Sequence, residues 1–197
     1  MRASTRREFV AGPAGRIECA VDQPEGQARG AALIAHPHPL YGGTLDNKVV
    51  QTLARAFLEL GYETWRPNFR GVGQTEGTHD EGRGELDDLY AVLQSLQSEK
   101  RVLAGFSFGA ALQAQLAQRV APERLVLVGI AVNRLKAPEV PAHTLVIHGE
   151  NDETVPLAAV LDWARPQELP VLLVPGADHF FHRKLQVLRT AVTSNWK

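Results

Sequence analysis

The sequence predicts an α/β fold, with a mostly parallel twisted sheet and helices on both faces, and three observations support this. Short apolar runs such as residues 31–35 and 125–130 have the length of buried strands rather than of helices. Segments with apolar residues at helical spacing, as at 45–60 and 83–98, alternate with these runs. The least regular segments follow directly after strands, at the sheet edge where α/β proteins bind their ligands.

The individual elements follow from local patterns. A leading hairpin is expected from strands at 6–10 and 16–22, because Gly12-Pro13-Ala14-Gly15 between them favours a turn. Further strands are expected at 31–35, 62–66, 125–130, 144–148 and 170–174 and directly before Ser107, and helices at about 45–60, 83–98 and 108–119, within 156–165 and from about 182. Since no repeat or linker interrupts this alternation, we expect a single domain over residues 1–197.

Composition limits the classes of function. The formal net charge of −1 provides no electrostatic attraction for nucleic acid or for an anionic membrane. Cys19 is the only cysteine, so neither an intrachain disulfide nor a thiolate metal site can form. Residues 1–10 carry charge without a following apolar segment, so no signal peptide is expected, and no apolar run approaches the roughly 20 residues of a membrane span. We therefore expect a soluble, cytoplasmic protein.

Ser107 is the predicted nucleophile of the chain. An apolar strand leads into Gly105-Phe106-Ser107-Phe108-Gly109, the G-x-S-x-G pattern of a nucleophile elbow, and an Ala/Leu/Gln-rich helix follows. A strand that turns directly into a helix crowds its own backbone, and the two glycines remove the Cβ atoms that would collide. Ser107 is thereby held at a strained tip with its hydroxyl above the sheet. The alternative, a glycine-flanked serine in an ordinary loop, does not account for the strand and helix on either side.

A serine hydroxyl needs a base to take its proton, and the base needs a third group to set its tautomer. The expected chain order is serine, then acid, then histidine. Asp152 follows the next-to-last predicted strand and is the predicted acid, with Glu150 and Glu153 as alternatives in the same turn. His179 follows the last strand and is the predicted base, whereas His182 is assigned to the closing helix and is only a fallback.

The attack of a serine on a carbonyl creates an oxyanion that needs preorganised N–H donors. The N–H of Phe108, directly after the nucleophile and at the helix start, is predicted to be one donor. The second is expected from residues 36–43, where two prolines lack an N–H. His38 is the preferred second donor, with Leu40 as the alternative and Tyr41 behind them.

Other candidate sites have weaker support. A zinc site at His36 and His38 would need further ligands nearby, so their rings are instead expected to brace neighbouring loops. The glycines of residues 68–77 lack a following Lys-Ser/Thr and the G-x-G-x-x-G spacing of nucleotide sites, and this segment is expected to pack under the site. Asp87 and Asp88 are expected on a solvated or capping face of a helix. The sequence thus predicts neither a metal nor a cofactor.

Three motifs in this order make the chain similar to the α/β-hydrolases: Gly105-Phe-Ser107-Phe-Gly109, residues 148–156 and residues 176–181. The segments 36–48 and 68–73 resemble a small bacterial branch of that superfamily, without a lid and related to dienelactone hydrolases and short-chain esterases. The resemblance covers nearly the whole chain. It implies that Ser107, Asp152 and His179 act as nucleophile, acid and base in a single α/β-hydrolase domain.

Two features of this chain qualify the resemblance. His36-Pro37 stands where many relatives have His-Gly, which aligns His38 with their second oxyanion donor. Dienelactone hydrolases use a cysteine nucleophile, so their substrate is not carried over to a chain with Ser107.

The predicted active-site cleft is open. Relatives usually insert a cap between the strands that here end near residue 130 and begin near residue 144, and residues 131–143 are too few to form one. We therefore predict a serine hydrolase that cleaves small-molecule carboxylic esters through an acyl-enzyme. Hydrolysis of a thioester or a small peptide passes through the same kind of intermediate, and a non-catalytic binding protein of the same fold is the alternative of a different class.

Overall fold

The computed structural model describes residues 4–196. Residues 1–3, part of the stretch on which the expectation of no signal peptide rests, lie outside the described residues. The strands are β1 (Arg6–Gly12), β2 (Gly15–Asp22), β3 (Gly30–Ala35), β4 (Tyr62–Pro67), β5 (Arg101–Phe106), β6 (Arg124–Val128), β7 (Leu145–Gly149) and β8 (Val171–Val174). The helices are α1 (Lys48–Glu59), α2 (Arg83–Ser95), α3 (Phe108–Leu116), α4 (Leu157–Ala164) and α5 (Leu185–Ser194). No helix within residues 4–196 is long and apolar enough to cross a bilayer.

The eight strands form one sheet in the order β1-β2-β4-β3-β5-β6-β7-β8. The pairs β1–β2 and β2–β4 are antiparallel, and every other neighbouring pair is parallel. The expected α/β fold with a mostly parallel sheet is therefore confirmed. Because β3, β5, β6, β7 and β8 run in the same direction, the loops that leave their carboxyl ends meet at one edge of the sheet.

Helices cover both faces of the sheet, which explains the continuous apolar runs in the sequence. On one face Leu89 of α2, Leu112 of α3 and Val160 of α4 pack into one apolar cluster. On the other face Phe57 of α1 and Leu188 of α5 belong to a second cluster. Burial of each such side chain stabilises the fold by about 1.5–3 kcal/mol, so a strand between two layers, such as β3, is a continuous apolar run.

The closing helix begins later than predicted, and His182 is not part of it. Phe181 and Arg183 have φ angles of 54° and 60°, which no α-helix accommodates, and α5 starts only at Leu185. The assignment of His182 to the helix is therefore wrong, since the periodicity of apolar residues gave no sign of these two left-handed residues before it.

The prediction for Asp88 is also wrong, because its carboxylate is buried. Arg70 donates to it through Nε at 2.7 Å and through Nη2 at 2.8 Å, and the same Nη2 donates to the carbonyl oxygen of Gly84 at 2.8 Å. The neighbouring Asp87 is exposed, as expected, and pairs with Arg119. Of these two adjacent residues of α2, Asp87 is therefore solvated, whereas Asp88 connects the segment after β4 to the helix.

Candidate active site

Ser107, Asp152 and His179 come from three loops at the carboxyl edge of the sheet. Ser107 lies between β5 and α3, Asp152 lies three residues after β7, and His179 lies five residues after β8. The three residues are far apart in the sequence, and the parallel strands bring them to the same edge.

The turn at Ser107 has the strained conformation expected of a nucleophile elbow. Ser107 has φ 56° and ψ −116°, a region that costs a non-glycine residue about 1–3 kcal/mol. Its N–H donates to the carbonyl oxygen of Val128 at 2.9 Å, which ties the turn to β6. A Cβ on Gly105 would lie 2.5 Å from the carbonyl carbon of Gly109, and one on Gly109 would overlap the backbone of Ala35. Both glycines are therefore required by close backbone approaches.

The three side chains form a continuous series of hydrogen bonds. His179 Nε2 lies 3.0 Å from Ser107 Oγ, and His179 Nδ1 lies 2.6 Å from Asp152 Oδ2. Because the Asp152 carboxylate accepts the Nδ1 proton, Nε2 carries the lone pair that faces the serine hydroxyl. The other carboxylate oxygen, Oδ1, accepts from the N–H groups of Thr154 at 2.9 Å and Val155 at 2.8 Å, which hold the carboxylate in this orientation.

The alternative residues lie elsewhere. Glu150 accepts a hydrogen bond from the N–H of Gly176 at 2.7 Å, and Glu153 is exposed. His182 is paired with Asp178, with 2.6 Å between Nδ1 and Oδ2, and 64% of its side chain is exposed. The geometry thus brings together the preferred three residues and none of the alternatives.

The two preferred oxyanion donors, the N–H groups of Phe108 and His38, form no hydrogen bond among the described residues. Phe108 lies at the first turn of α3. The N–H of Leu40 donates to His38 Nδ1 at 3.3 Å, and that of Tyr41 donates to the carbonyl oxygen of His38 at 3.1 Å. These contacts favour His38 over Leu40 as the second oxyanion donor, which stays a prediction.

His36 braces the loops beneath the site, as expected. Its Nδ1–H donates to the carbonyl oxygen of Pro37 at 2.6 Å, and its Nε2 accepts from the N–H of Phe69 at 3.0 Å. Burial lowers the pKa of His36 to about 3, so the ring is neutral and its single proton stays on Nδ1. The segment after β4 is thereby fixed to the loop that carries His38.

His148 is a residue of the site that sequence reasoning missed. Its fully buried ring donates from Nε2 to the carbonyl oxygen of Val155 at 2.9 Å and lies 3.6 Å from Asp152 Oδ2. Burial lowers the pKa of His148, so it contacts the carboxylate as a neutral ring. A histidine at the end of an apolar strand, four residues before the acid, was the available signal.

A cavity of about 550 Å³ lies beside Ser107. Its lining includes Phe108, the exposed side chains of Leu40 and Tyr41, and Arg134 from the segment between β6 and β7. A second cavity of about 510 Å³ contains the Arg189–Glu59 ion pair and lies among residues of α1 and α5, without a serine or histidine in its lining. Of these two cavities, the one beside Ser107 is therefore the one that combines volume with a nucleophile.

Within residues 4–196, no lid covers this cavity. Residues 131–143 between β6 and β7 run along the surface, where Gln115 Nε2 donates to the carbonyl oxygen of Lys136 at 2.9 Å and Trp163 Nε1 to that of Pro138 at 3.2 Å. The exposed fractions of Leu40 and Tyr41, 69% and 80%, show that the cavity opens directly to solvent.

Comparisons with known proteins agree with this architecture. Residues 40–139 match the model of the α/β-hydrolase fold family. A crystal structure of an α/β serine hydrolase without a lid from Xanthomonas campestris is 38% identical, with a TM-score of 0.91 over 99% of this chain and 94% of that one. An α/β serine hydrolase homologue from Coxiella burnetii is 36% identical, with a TM-score of 0.89 over the whole of both chains. An uncharacterised protein of Rickettsia prowazekii is 33% identical over 93% of this chain and 85% of its own length.

Proposed function

Because this chain belongs to the α/β-hydrolase family and is a hydrolase, we propose that it cleaves small carboxylic esters through Ser107, His179 and Asp152. The observation that carries the proposal is the unbroken series of hydrogen bonds from Ser107 Oγ through the His179 ring to Asp152. A serine in an ordinary loop would have no need of a strained backbone, a base within 3.0 Å and a carboxylate behind that base.

In the first half of the reaction, Ser107 Oγ attacks the ester carbonyl carbon while its proton passes to His179 Nε2. The carbonyl π electrons move to oxygen, and the N–H groups of Phe108 and His38 donate to the resulting oxyanion. Asp152 stabilises the imidazolium that forms on His179. When the tetrahedral intermediate collapses, the alcohol leaves with the proton of His179, and the acyl group remains on Ser107.

In the second half, a water molecule takes the place of the alcohol. His179 removes a proton from this water as its oxygen attacks the acyl-enzyme carbonyl, and the same N–H groups hold the second oxyanion. Collapse breaks the bond to Ser107 Oγ, which recovers its proton from His179, and the carboxylic acid departs. The open cavity supports this step, because water reaches the acyl group without any movement of a lid.

The proposal is tested by substitution of Ser107 and by a fluorophosphonate, which reacts rapidly only with an activated serine. We expect Ser107→Ala to lower kcat for 4-nitrophenyl butyrate by at least about 10⁴-fold and to abolish labelling measured by intact-mass spectrometry. Ser98→Ala is the matched control, because the Ser98 hydroxyl donates to the carbonyl oxygen of Lys100 before the start of β5.

Two outcomes would contradict the proposal. Full turnover by a folded Ser107→Ala variant would exclude Ser107 as the nucleophile. Wild-type protein that neither reacts with the fluorophosphonate nor hydrolyses short esters would favour the alternative of a non-catalytic binding protein.

A further inference from the structure

The cavity beside Ser107 contains a guanidinium that the protein itself does not neutralise. Arg134 lines the cavity with an exposed side chain, and no carboxylate of the described residues lies within ion-pair distance of it. Other arginines of the described residues form ion pairs, for example Arg66 with Asp22 and Arg70 with Asp88. Arg134 is distinguished from the other arginines without an ion pair by its place in the lining of the cavity that contains Ser107.

Hydrogen bonds connect the backbone of Arg134 to the loop that carries Ser107. The N–H of Ala131 donates to the carbonyl oxygen of Ser107 at 3.2 Å, and the N–H of Arg134 donates to the carbonyl oxygen of Ala131 at 3.1 Å. Asn133 Nδ2 donates to the carbonyl oxygen of Thr154, at 3.3 Å, in the loop that follows Asp152. The backbone of this turn is thus fastened to both the nucleophile loop and the acid loop.

The acidic groups nearby leave Arg134 uncompensated. Glu85 is fully buried and already accepts from His79 Nδ1 at 2.7 Å and from the N–H groups of Asp80 and Gly82 at 2.9 Å each. Glu81 also lines the cavity, but no ion pair joins it to Arg134 among the described residues. Arg134 therefore keeps its N–H donors available to a ligand in the cavity.

The charge of Arg134 acts on His38, which carries a predicted oxyanion donor. The pKa of His38 is lowered chiefly by burial, and electrostatic interactions with His79 and Arg134 lower it further while Glu85 opposes them. His38 contacts Phe108, with ring centroids 4.7 Å apart, and both residues carry predicted oxyanion donors. Arg134 and His38 thus lie on the lining of the same cavity, close enough for their charges to interact.

We propose that Arg134 binds a carboxylate of the substrate, so that the esters cleaved at Ser107 are acidic molecules with a free carboxylate at a few carbons' distance from the ester. The assignment rests on the proposed ester hydrolysis at this site. The planar guanidinium presents two parallel N–H donors that match the two carboxylate oxygens. Leu40 and Leu135 on the cavity lining supply apolar contacts for the short carbon chain between the two groups.

The test compares esters that differ only in a carboxylate. For the acyl side the pair is mono-4-nitrophenyl glutarate and 4-nitrophenyl butyrate, and for the alcohol side it is 3-acetoxybenzoate and phenyl acetate. For each pair the measured quantity is kcat/KM of the acidic ester divided by kcat/KM of the neutral ester. In at least one pair we expect this ratio to fall about five-fold or more in Arg134→Gln. In Arg134→Lys it should recover in part. In wild type the ratio should also fall at 0.5 M salt, which screens a solvent-accessible ion pair.

Arg55→Gln is the matched control, because it removes one positive charge from an exposed position on α1 that lines the other cavity. This variant should keep the wild-type ratio. The proposal is overturned if Arg134→Gln leaves the ratio unchanged in both ester pairs, or if Arg55→Gln lowers it as much.

A binding experiment separates this proposal from ester hydrolysis itself. NMR titrations of Ser107→Ala with monoethyl glutarate and diethyl glutarate need no turnover. We expect the monoester, which carries the carboxylate, to bind more tightly, and the difference to vanish when Arg134→Gln is added. If the wild-type enzyme fails the fluorophosphonate test while this difference holds, ester hydrolysis is wrong and the carboxylate site stands; equal affinities for the two glutarates would reject the carboxylate site whatever the enzyme hydrolyses.

Discussion

Three buried histidines near the sheet edge have different roles because their neighbours fix different tautomers. A carbonyl oxygen or a carboxylate only accepts, so the proton of His36 lies on Nδ1 opposite Pro37, and that of His179 lies on Nδ1 opposite Asp152. The proton of His148 lies on Nε2, opposite the carbonyl oxygen of Val155. Of the three, His179 is the one whose remaining lone pair faces a hydroxyl, which suits it to act as the base.

The buried neutral His36 makes the stability of the protein depend on pH. Its pKa is lowered from 6.5 to about 3 by burial, so between these values the unfolded chain binds a proton that the folded chain does not. Stability is therefore complete above pH 6.5 and is lost as the pH falls below it. We expect the free energy of unfolding to decrease by about 1.4 kcal/mol per pH unit through His36, with a further decrease from His148, whose pKa is also lowered.

Urea denaturation at pH 7.0 and 5.5 measures this effect. Between these two pH values His36→Gln should lose about 1.3 kcal/mol less stability than wild type, so its slope with pH should be smaller, and the Gln oxygen replaces Nε2 as acceptor for the N–H of Phe69. His143→Gln, which removes an exposed histidine, should keep the wild-type slope. Equal slopes in wild type and His36→Gln would contradict the assignment of a buried, neutral His36.

At the scale of elements, the site depends on segments that lack regular structure but are bonded to the sheet and its helices. Arg70 ties the segment after β4 to α2 through Asp88 and the carbonyl oxygen of Gly84. Asn68 at the start of that segment donates to the buried Glu18 of β2 at 2.8 Å and accepts from the N–H of Leu45 at 2.9 Å. These bonds make the segment a rigid support for Phe69, which contacts Phe108 at a centroid distance of 5.5 Å.

The close contact between the elbow and β3 gives a prediction at the same scale. A Cβ on Gly109 would overlap the backbone of Ala35 and His36, which cannot retreat without breaking the pairing of β3 with β5. We expect Gly109→Ala to lower the free energy of unfolding by about 1–3 kcal/mol and to slow fluorophosphonate labelling by about 100-fold, because the displaced turn moves Ser107 away from His179.

Gly26→Ala serves as the comparison in urea denaturation and labelling. Gly26 has φ +78° but nothing lies within 4 Å of an added Cβ, so this variant carries a backbone penalty without a displaced elbow. It should label at the wild-type rate. If Gly109→Ala were labelled at the wild-type rate, the prediction would be wrong, because the nucleophile elbow would then tolerate the displacement caused by the added Cβ.

At the scale of the whole molecule, the parallel sheet and the missing lid together decide what the site accepts. The sheet brings the loops after β5, β7 and β8 together, and residues 131–143 leave the resulting cavity open. A long acyl chain would extend beyond a cavity of about 550 Å³ into water. It would then gain little of the roughly 0.8 kcal/mol that each buried CH₂ contributes.

We therefore expect kcat/KM for 4-nitrophenyl esters to be highest for acetate and butyrate and much lower for palmitate. The measurement uses substrate concentrations below the onset of aggregation, with Ser107→Ala as the blank for spontaneous hydrolysis. A preference for palmitate would mean that part of the chain moves to form an apolar wall that this structure lacks.

Local patterns of the sequence were sufficient for the fold and for the main candidates of the site. Alternating strand and helix periodicities predict the parallel sheet, and Gly105-x-Ser107-x-Gly109 predicts the elbow, because these signals come from residues that are neighbours in the chain. The order of Asp152 and His179 after their strands predicts that they meet Ser107, because parallel strands end at one edge.

What only the tertiary structure decided are contacts between residues that no local pattern relates. The burial of Asp88 against Arg70, the ring of His148 beside Asp152 and the unpaired charge of Arg134 in the cavity all depend on how loops pack together. Helix α5 starts after His182 because Phe181 and Arg183 adopt the left-handed conformation, which the identity of neither residue predicts. Hydrophobic periodicity records which face of an element is buried, whereas the partner of a polar side chain is set by packing between elements that are far apart in the sequence.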